Sequence, residues 1–221
     1  MTTPQDLLIV AMDVESSRPV ESGDLSLVLA GAELVDLLDA GLVTLDGELL
    51  VPGPGSTPDD RLLAEAAAAL VRQRPYESVE DWLWRRGRAL SAAYVDVMES
   101  EGQITRQHRR LLPGRPGPAT PADTPARRRA TERWTSGEPV LALLAGALGI
   151  RPGSGDEPPA AEEEVAAGEA EAPSDDPAVA DEAVVAVLAT VGDAVMELDA
   201  VRQRRDIEQA AFDNIWRGPG G

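Results

Sequence analysis

The chain has 221 residues and a formal net charge of -19 at pH 7, and its basic side chains are arginine without any lysine. Such an acidic chain is not expected to bind nucleic acid generally, and its length suits one domain with a proper core, with or without a disordered insert. Cysteine is absent, which excludes disulfides, thiolate metal sites and cysteine nucleophiles. Arginine without lysine, together with abundant alanine, glycine and proline, is typical of a GC-rich bacterium, and we expect an intracellular protein.

The amino-terminal run Leu7–Met12 is apolar and is closed by acidic and hydroxyl residues. Periodicity leaves two interpretations open, a buried strand or the first turns of a helix. The run is too short to span a bilayer, and it lacks the basic leader and cleavage site of a signal peptide.

Residues 24–51 predict a buried helix that runs into a β-hairpin. Leucine and valine recur at helical spacing, Ser22 or Asp24 is expected to cap the start, and Gly41 fits the left-handed end. Asp46-Gly47 predicts a two-residue hairpin turn. The small residues 30–32 predict close packing against another helix.

Two further helical stretches follow. Thr57 and Pro58 predict a helix to about Arg74, and Ser78 begins another stretch that runs to Gly102 and is divided at Gly87. Within that stretch, Trp82 and Trp84 are too close in sequence to face the same core.

Residues 104–125 are loop-like, and they contain Leu111 and Leu112 beside Arg109 and Arg110. Two interpretations remain open, since the leucines either enter a membrane interface or pin the loop to the protein. Thr124-Pro125 predicts the next helix. Glu138-Pro139 predicts another that is apolar all round and therefore central in the fold.

The carboxyl-terminal third changes in character. Residues 153–181 are rich in proline, alanine and acids and predict a disordered acidic insert. Val184 to Val201 predicts a helix that continues toward Trp216. We therefore expect one mainly α domain formed by residues 1–150 and 181–217, an insert at 151–180, and a frayed tail at 218–221.

No constellation of catalytic residues is recognisable. His108 is the only histidine, and no glycine-rich stretch has the spacing of a phosphate-binding loop. We expect no enzyme activity, no metal and no cofactor.

The distribution of positive charge is more informative, because more than half of the arginines fall in one quarter of the chain. This arginine patch comprises Arg85, Arg86, Arg88, Arg106, Arg109, Arg110, Arg115, Arg127, Arg128, Arg129 and Arg133. A patch of this kind attracts phospholipid headgroups, nucleic-acid phosphates or the protein's own acidic insert. The alternative is a solvated surface that the insert balances.

Several motifs, in order, resemble the Golgi phosphoprotein 3 family, which has many actinobacterial members. They are DLLIVAMD from Asp6, LAGAELVDLLDAGLV from Leu29, VEDWL from Val79, EGQI from Glu101 and the alanine-leucine helix at 140–148. The resemblance implies a single helical domain with a central apolar helix bundle, amphipathic outer helices and one or two β-hairpins. One hairpin is used in that family for membrane contact and self-association.

The family's eukaryotic members bind phosphatidylinositol 4-phosphate and act as adaptors for glycosyltransferases. Their lipid pocket aligns with Glu21, Ala30, Arg88 and Ser91, of which only Arg88 has the family's residue type, and Arg85 lies three residues earlier. The resemblance and the arginine patch together predict headgroup contacts at Arg85, Arg86, Arg88, Arg109 and Arg110. The membrane-contact hairpin is expected around residues 104–115, with Leu111 and Leu112 at its tip.

The leading hypothesis is a cytoplasmic, non-enzymatic peripheral membrane adaptor on the inner face of the membrane. Its expected partners are an anionic phospholipid or phosphoinositide surface, a protein cargo and a second copy bound through the hairpin, with no nucleic acid. One alternative is a cytosolic protein-interaction scaffold. Another is a winged-helix nucleic-acid binder, in which residues 24–39 form the recognition helix, although Glu33, Asp36 and Asp39 would repel phosphates.

Overall fold

The computed structural model describes residues 2–106, 119–151 and 182–216, without the side chains of residues 210, 211 and 213–216. The helices of this part are α1 (Thr3–Asp13), α2 (Ser22–Asp39), α3 (Arg61–Ala69), α4 (Val79–Arg86), α5 (Leu90–Ser100), α6 (Pro125–Thr135), α7 (Pro139–Ala147) and α8 (Glu182–Trp216). The strands are β1 (Val43–Asp46), β2 (Leu49–Pro52), β3 (Ile104–Arg106) and β4 (Ala119–Pro121), paired antiparallel as β1–β2 and β3–β4. The predicted mainly α class with one or two hairpins is therefore confirmed, and there are two in the described residues.

Helix α2 is the centre of the fold. It packs against α1, α4, α5 and α8, and most of its side chains are buried. At Gly31 an added Cβ would lie 2.3 Å from Cγ2 of Val191 on α8, so the expected close helix packing at the small residues is present. A helix enclosed in this way cannot enter a nucleic-acid groove, which removes the structural basis of the winged-helix hypothesis.

The amino-terminal run forms a helix rather than a strand. The backbone N–H of Thr2, which precedes α1, donates to the side chain of Gln5 at 3.4 Å, and residues 7–10 are fully buried against α2. The capping residues lie before the apolar run, which explains why the run alone could not distinguish helix from strand.

The ends of α2 and its hairpin differ in detail from the prediction. The residue that precedes α2 is Glu21, which makes no side-chain capping bond, so neither Ser22 nor Asp24 is the cap. Gly41 has the expected positive φ of 64°. The turn consists of Gly47 and Glu48 rather than Asp46-Gly47, because Asp46 pairs with Leu49 and the positive φ of 61° falls at Gly47.

The next helix is shorter than predicted. Asp60, rather than Thr57, caps α3 by accepting a hydrogen bond from the backbone N–H of Leu63 at 2.9 Å. The helix ends at Ala69 because Leu70 turns to an extended conformation, five residues before the predicted end.

The following stretch matches the prediction closely. Ser78 caps α4, and Gly87 separates α4 from α5. Trp82 is fully buried, whereas Trp84 is partly exposed. The positive φ of 72° at Gly102 ends the α5 region as expected.

Helix α7 is less central than its composition predicts. Leu141 and Leu144 are buried, but Leu143 is 50% exposed, so one face of the helix is open. The prediction was wrong because an apolar composition does not by itself place a helix at the centre of a fold. The nine-residue helix α7 buries only one stripe of its side chains. The centre is α2 instead.

Helix α8 closes the core over α2, α4 and α7. Val184, Val187, Val191 and Val195 are buried in the contact, and the helix reaches Trp216 as predicted. The predicted acidic insert and the predicted frayed tail lie outside the described residues.

Candidate functional site

The candidate site begins at the junction of α4 and α5. Gly87 ends α4 where an added Cβ would lie 3.3 Å from Cδ2 of Leu27, so the junction is pressed onto α2. Ala89 then adopts a left-handed φ of 56° and starts α5 in a new direction. Arg88 lies between these two residues and is exposed to solvent. Within the described part of the chain, Arg88 makes no hydrogen bond or ion pair.

A surface groove of about 380 Å³ opens beside Arg88. Its walls come from the starts of α2 and α5, the end of α4, and Leu198 of α8; they include Ser22, Gly23, Ser26, Trp84, Arg88, Ser91 and Ala92. We call this the Arg88 groove. Its lining combines one guanidinium, three hydroxyl groups and an apolar floor.

The amino termini of α2 and α5 meet in this groove. The hydroxyl of Ser91 lies 2.9 Å from that of Ser26 and 3.2 Å from the carbonyl oxygen of Ser22, and the backbone N–H of Ser91 donates to the Ser26 hydroxyl at 3.0 Å. Neither Glu21 nor Ala89 caps its own helix, but the Ser26 hydroxyl caps the first turn of α5 through Ser91, and the buried Asp24 lies in the first turn of α2. A helix start carries a partial positive charge, which Asp24 offsets in α2, so Arg88 is the main positive group at the groove.

Arg85 faces a second groove, of about 610 Å³, on the other side of Trp84. Arg88 borders both grooves, so the structure places Arg85 and Arg88 on the same face. Arg85 is held by Glu77 through two hydrogen bonds of 2.6 and 2.7 Å and lies over the ring of Trp82. The charge of Arg85 is therefore partly neutralised.

Arg86 points into the protein and is only 16% exposed. It donates two hydrogen bonds of 2.8 Å to the fully buried Glu33 and one of 3.1 Å to the carbonyl oxygen of Leu62. The hydroxyl of Tyr94 donates to the same carboxylate at 3.0 Å. Burial raises the pKa of Glu33, against the lowering effect of Arg86. This guanidinium is engaged in holding α4 and α5 to α2.

Several other members of the arginine patch are also ion-paired. Arg106 pairs with Asp96 and Glu99, Arg127 with Asp13, Arg128 with Asp123, and Arg133 with Asp6 and Glu138. Much of the arginine patch is therefore engaged in ion pairs within the protein. Arg88 is distinguished by its lack of such a partner in the described ranges.

The predicted hairpin residues Arg109, Arg110, Leu111 and Leu112 lie outside the described residues. The strands that flank them, β3 and β4, pair in register from Ile104–Pro121 to Arg106–Ala119. A hairpin base is thus present in a stretch whose composition is loop-like, beginning where the family resemblance predicts a hairpin.

Of the positions aligned with the family's lipid pocket, Arg88 and Ser91 line the Arg88 groove, and Glu21 immediately precedes its residue Ser22. Ala30 is fully buried, and its carbonyl oxygen accepts a hydrogen bond of 3.4 Å from the indole of Trp82. Sequence reasoning missed Ser26 and Leu198. Ser26 breaks the apolar pattern of its helix, which was the available signal.

Within residues 2–106, 119–151 and 182–216, no helix is both long and apolar enough to cross a bilayer.

These features define a mainly helical protein that is built around a buried helix and carries a surface groove bordered by Arg88. The family model of Golgi phosphoprotein 3 (GPP34) matches residues 4–213, nearly the whole chain, and the protein belongs to this family of non-enzymatic adaptors. No curated protein matches the chain.

Proposed function

We propose that the protein is a non-enzymatic peripheral membrane adaptor that takes the headgroup of an anionic lipid into the Arg88 groove. The observation that carries this proposal is the exposed guanidinium of Arg88, which has no ion pair within the described residues and borders a groove at the starts of α2 and α5. Backbone N–H groups at a helix start and a guanidinium are both preferred partners of phosphate. Family membership supports a lipid ligand, because proteins of this family bind phosphoinositides and protein partners.

The electrostatic contributions of the groove are small, so the groove alone gives weak and reversible attachment. A helix start favours an anion by about 0.3–1 kcal/mol, and each arginine near an anionic surface adds on the order of 1 kcal/mol. The net charge of -19 repels the same surface, so binding depends on the orientation of the groove. A small set of groups must therefore act together.

The hairpin supplies the second contact in this proposal. Arg109 and Arg110 add positive charge, and Leu111 and Leu112 provide a shallow apolar anchor beyond the base formed by β3 and β4. Two weak signals together are what stable membrane attachment requires. In the family that the sequence resembles, this hairpin is also used for self-association, and we extend that role to this protein. The proposed location is the cytoplasmic face of the membrane.

The preferred headgroup is one with a phosphate monoester, such as phosphatidylinositol 4-phosphate. Two positions weaken a close match with the family's pocket, since Glu21 adds a carboxylate and Ala30 is buried. We therefore propose that binding follows headgroup charge more than headgroup identity.

Vesicle flotation at low salt tests the proposal, because screening of charge is weakest there. We expect the full-length protein to float with vesicles that contain phosphatidylinositol 4-phosphate or phosphatidylserine, and not with neutral vesicles. Arg88→Glu should lower binding at least tenfold. The matched control Arg61→Glu reverses another exposed arginine, on α3, and should bind like the unaltered protein.

Failure to float with any anionic vesicle, or equal losses in the two variants, contradicts the proposal. The alternative is then a protein-interaction scaffold without a lipid ligand. The ion pairs of Arg106, Arg127, Arg128 and Arg133 favour this second candidate, because they consume positive charge that a membrane would otherwise use.

A further inference from the structure

Four charged side chains meet beside the Arg88 groove, where α8 packs against the start of α2. Arg202 of α8 donates a hydrogen bond of 2.6 Å to Asp24 of α2 and another of 2.6 Å to Asp199. Arg18 pairs with Asp199, and its guanidinium lies 3.8 Å from the carboxylate of Asp24. We call Arg18, Asp24, Asp199 and Arg202 the Asp24 cluster. Its two positive and two negative charges cancel.

Asp24 is the buried member of the cluster. Its side chain is 3% exposed, whereas that of Arg202 is 30% exposed. A buried carboxylate needs a cation close to it, because an uncompensated charge is costly to bury. Arg202 makes the shorter contact with Asp24, and Arg18 makes the longer one. The charge of Asp24 is therefore balanced mainly from α8.

Arg202 lies at the edge of the Arg88 groove. Gly23 lines that groove, and an added Cβ there would lie 3.1 Å from a terminal guanidinium nitrogen of Arg202 and 3.0 Å from Cδ2 of Leu198. Leu198 also lines the groove, and it precedes Arg202 by one turn on the same face of α8. Helix α8 therefore gives the groove an apolar wall and, directly beside it, a guanidinium.

The position of Asp24 affects any anion that enters the groove. Asp24 directly follows the lining residue Gly23 in the first turn of α2, where it offsets the positive start of the helix. With Arg202 in place, the Asp24 cluster adds no net charge beside the groove. Without Arg202, the cluster would have a net negative charge, which would repel a phosphate group.

We propose that Arg202 is a positioning residue of the Arg88 groove, which neutralises Asp24 and so permits a phosphate group to bind beside Arg88. Arg88 contacts the phosphate, whereas Arg202 acts through Asp24. A phospholipid headgroup and free inorganic phosphate share this chemistry, and the lipid source rests on the proposed function. None of the four positions aligned with the family's lipid pocket lies on α8, so that alignment does not indicate Arg202.

The first test compares variants of the full-length protein on phosphatidylcholine vesicles that contain phosphatidylserine, at low salt. Arg202→Met leaves the cluster negative and should lower affinity about fivefold, the effect of one charge near an anionic surface. Asp24→Asn removes the carboxylate and leaves Arg202 at the groove, so affinity should rise by about the same factor. The double variant keeps the cluster neutral and should bind like the unaltered protein.

A matched control uses the ion pair of Arg61 and Glu65, which is on α3 and does not line the groove. Arg61→Met and Glu65→Gln make the same two charge changes, and neither should alter affinity by more than about twofold. Effects equal to those of the cluster variants would show that total charge controls binding, and they would overturn the proposal.

Urea unfolding separates a positioning role from a purely structural one. Arg202→Met and Asp24→Asn each remove a hydrogen-bonded ion pair, so both should lower the free energy of unfolding. A purely structural role would lower affinity in both variants, whereas the proposal requires affinity to rise in Asp24→Asn. Arg202→Lys keeps the charge and should recover most of the binding that Arg202→Met loses. Lower affinity in Asp24→Asn would overturn the proposal.

Inorganic phosphate distinguishes this inference from the proposed function. Phosphate should shift the amide NMR signals of Gly23 and Ser91, at lower concentrations in Asp24→Asn and at higher concentrations in Arg202→Met than in the unaltered protein. If phosphate acts in this order but vesicles do not bind, the inference stands and the lipid ligand is wrong. If vesicles bind all variants equally, the proposed function stands and the role of Arg202 is wrong. No shift of these signals in any of the three proteins would also overturn the inference.

Discussion

The carboxylate of Glu33 on α2 accepts two hydrogen bonds from the guanidinium of Arg86 at the end of α4, each 2.8 Å long. Tyr94 of α5 completes the arrangement. Three helices are therefore fixed around one buried charge, directly behind the junction that carries Arg88. The helices that form the Arg88 groove are therefore held in place by the same contacts that hold the core together.

Removal of Arg86 should be costly, because it leaves the buried Glu33 without its cation. We expect Arg86→Met to lower the free energy of unfolding by about 3–5 kcal/mol. The double variant Glu33→Met with Arg86→Met should recover most of this loss, since no charge is then buried. Urea unfolding followed by circular dichroism measures both. Additive losses in the double variant would show that the pair does not act as a unit.

Gly31→Ala should destabilise the contact between α2 and α8. The new methyl group would lie 2.3 Å from Cγ2 of Val191, and a β-branched valine on a helix has little freedom to move away. We expect a loss of about 1–3 kcal/mol. Val191→Ala in the same chain should relieve the clash. Gly146→Ala on α7 is the control, because its new methyl group meets open space.

Asp36 should make stability depend on pH. Burial raises its pKa from 3.8 to about 6, although the carboxylate accepts a 2.9 Å hydrogen bond from the N–H of Thr3. An acid with a higher pKa in the folded than in the unfolded chain binds protons preferentially when folded. Its stabilising effect is therefore present at low pH and is lost as the pH rises through about 6.

When the pH falls from 7 to 5, protonation of Asp36 should raise the free energy of unfolding by about 1 kcal/mol. Asp36→Asn keeps an oxygen acceptor for Thr3 and removes the titration. The difference in stability between the two pH values should fall by that amount in the variant. An unchanged difference would mean that Asp36 titrates normally in the folded chain.

Glu21 should oppose the binding of anions in the Arg88 groove. It is exposed and directly precedes Ser22, which lines the groove. We expect Glu21→Gln to raise affinity for anionic vesicles about fivefold, which corresponds to roughly 1 kcal/mol for one charge at the surface. Glu80→Gln makes the same charge change in an acidic cleft beside α8 and should leave affinity unaltered.

Local structure could be predicted wherever residues that are close in sequence determine it, as at helix caps and glycine turns. Ser78 and Thr124 cap the helices that they precede, and Gly41 and Gly102 take the left-handed conformations that only glycine adopts easily. The observed hairpin turn lies one residue later than the predicted one. Gly47 can be the second residue of an Asp46-Gly47 turn or the first residue of a Gly47-Glu48 turn, and the strand register decides between them.

The site was less predictable, because its parts are distant in sequence. Ser26 and Ser91 are 65 residues apart, and Arg133 and Asp6 are 127 apart. No local pattern records which carboxylate an arginine will meet. The sequence therefore showed that arginines are concentrated in this region. It could not show that Arg88 lacks the ion pairs that its neighbours make within the described residues.

The contact of α8 with α2 has a consequence for biosynthesis. The amino-terminal helices emerge from the ribosome long before residues 182–216, which supply Val187, Val191 and Val195 to the core. Until then the apolar flank of α2 around Gly31 has no cover. Folding of this chain must therefore finish late, and nascent chains that stop before α8 should be substrates for chaperones or proteases.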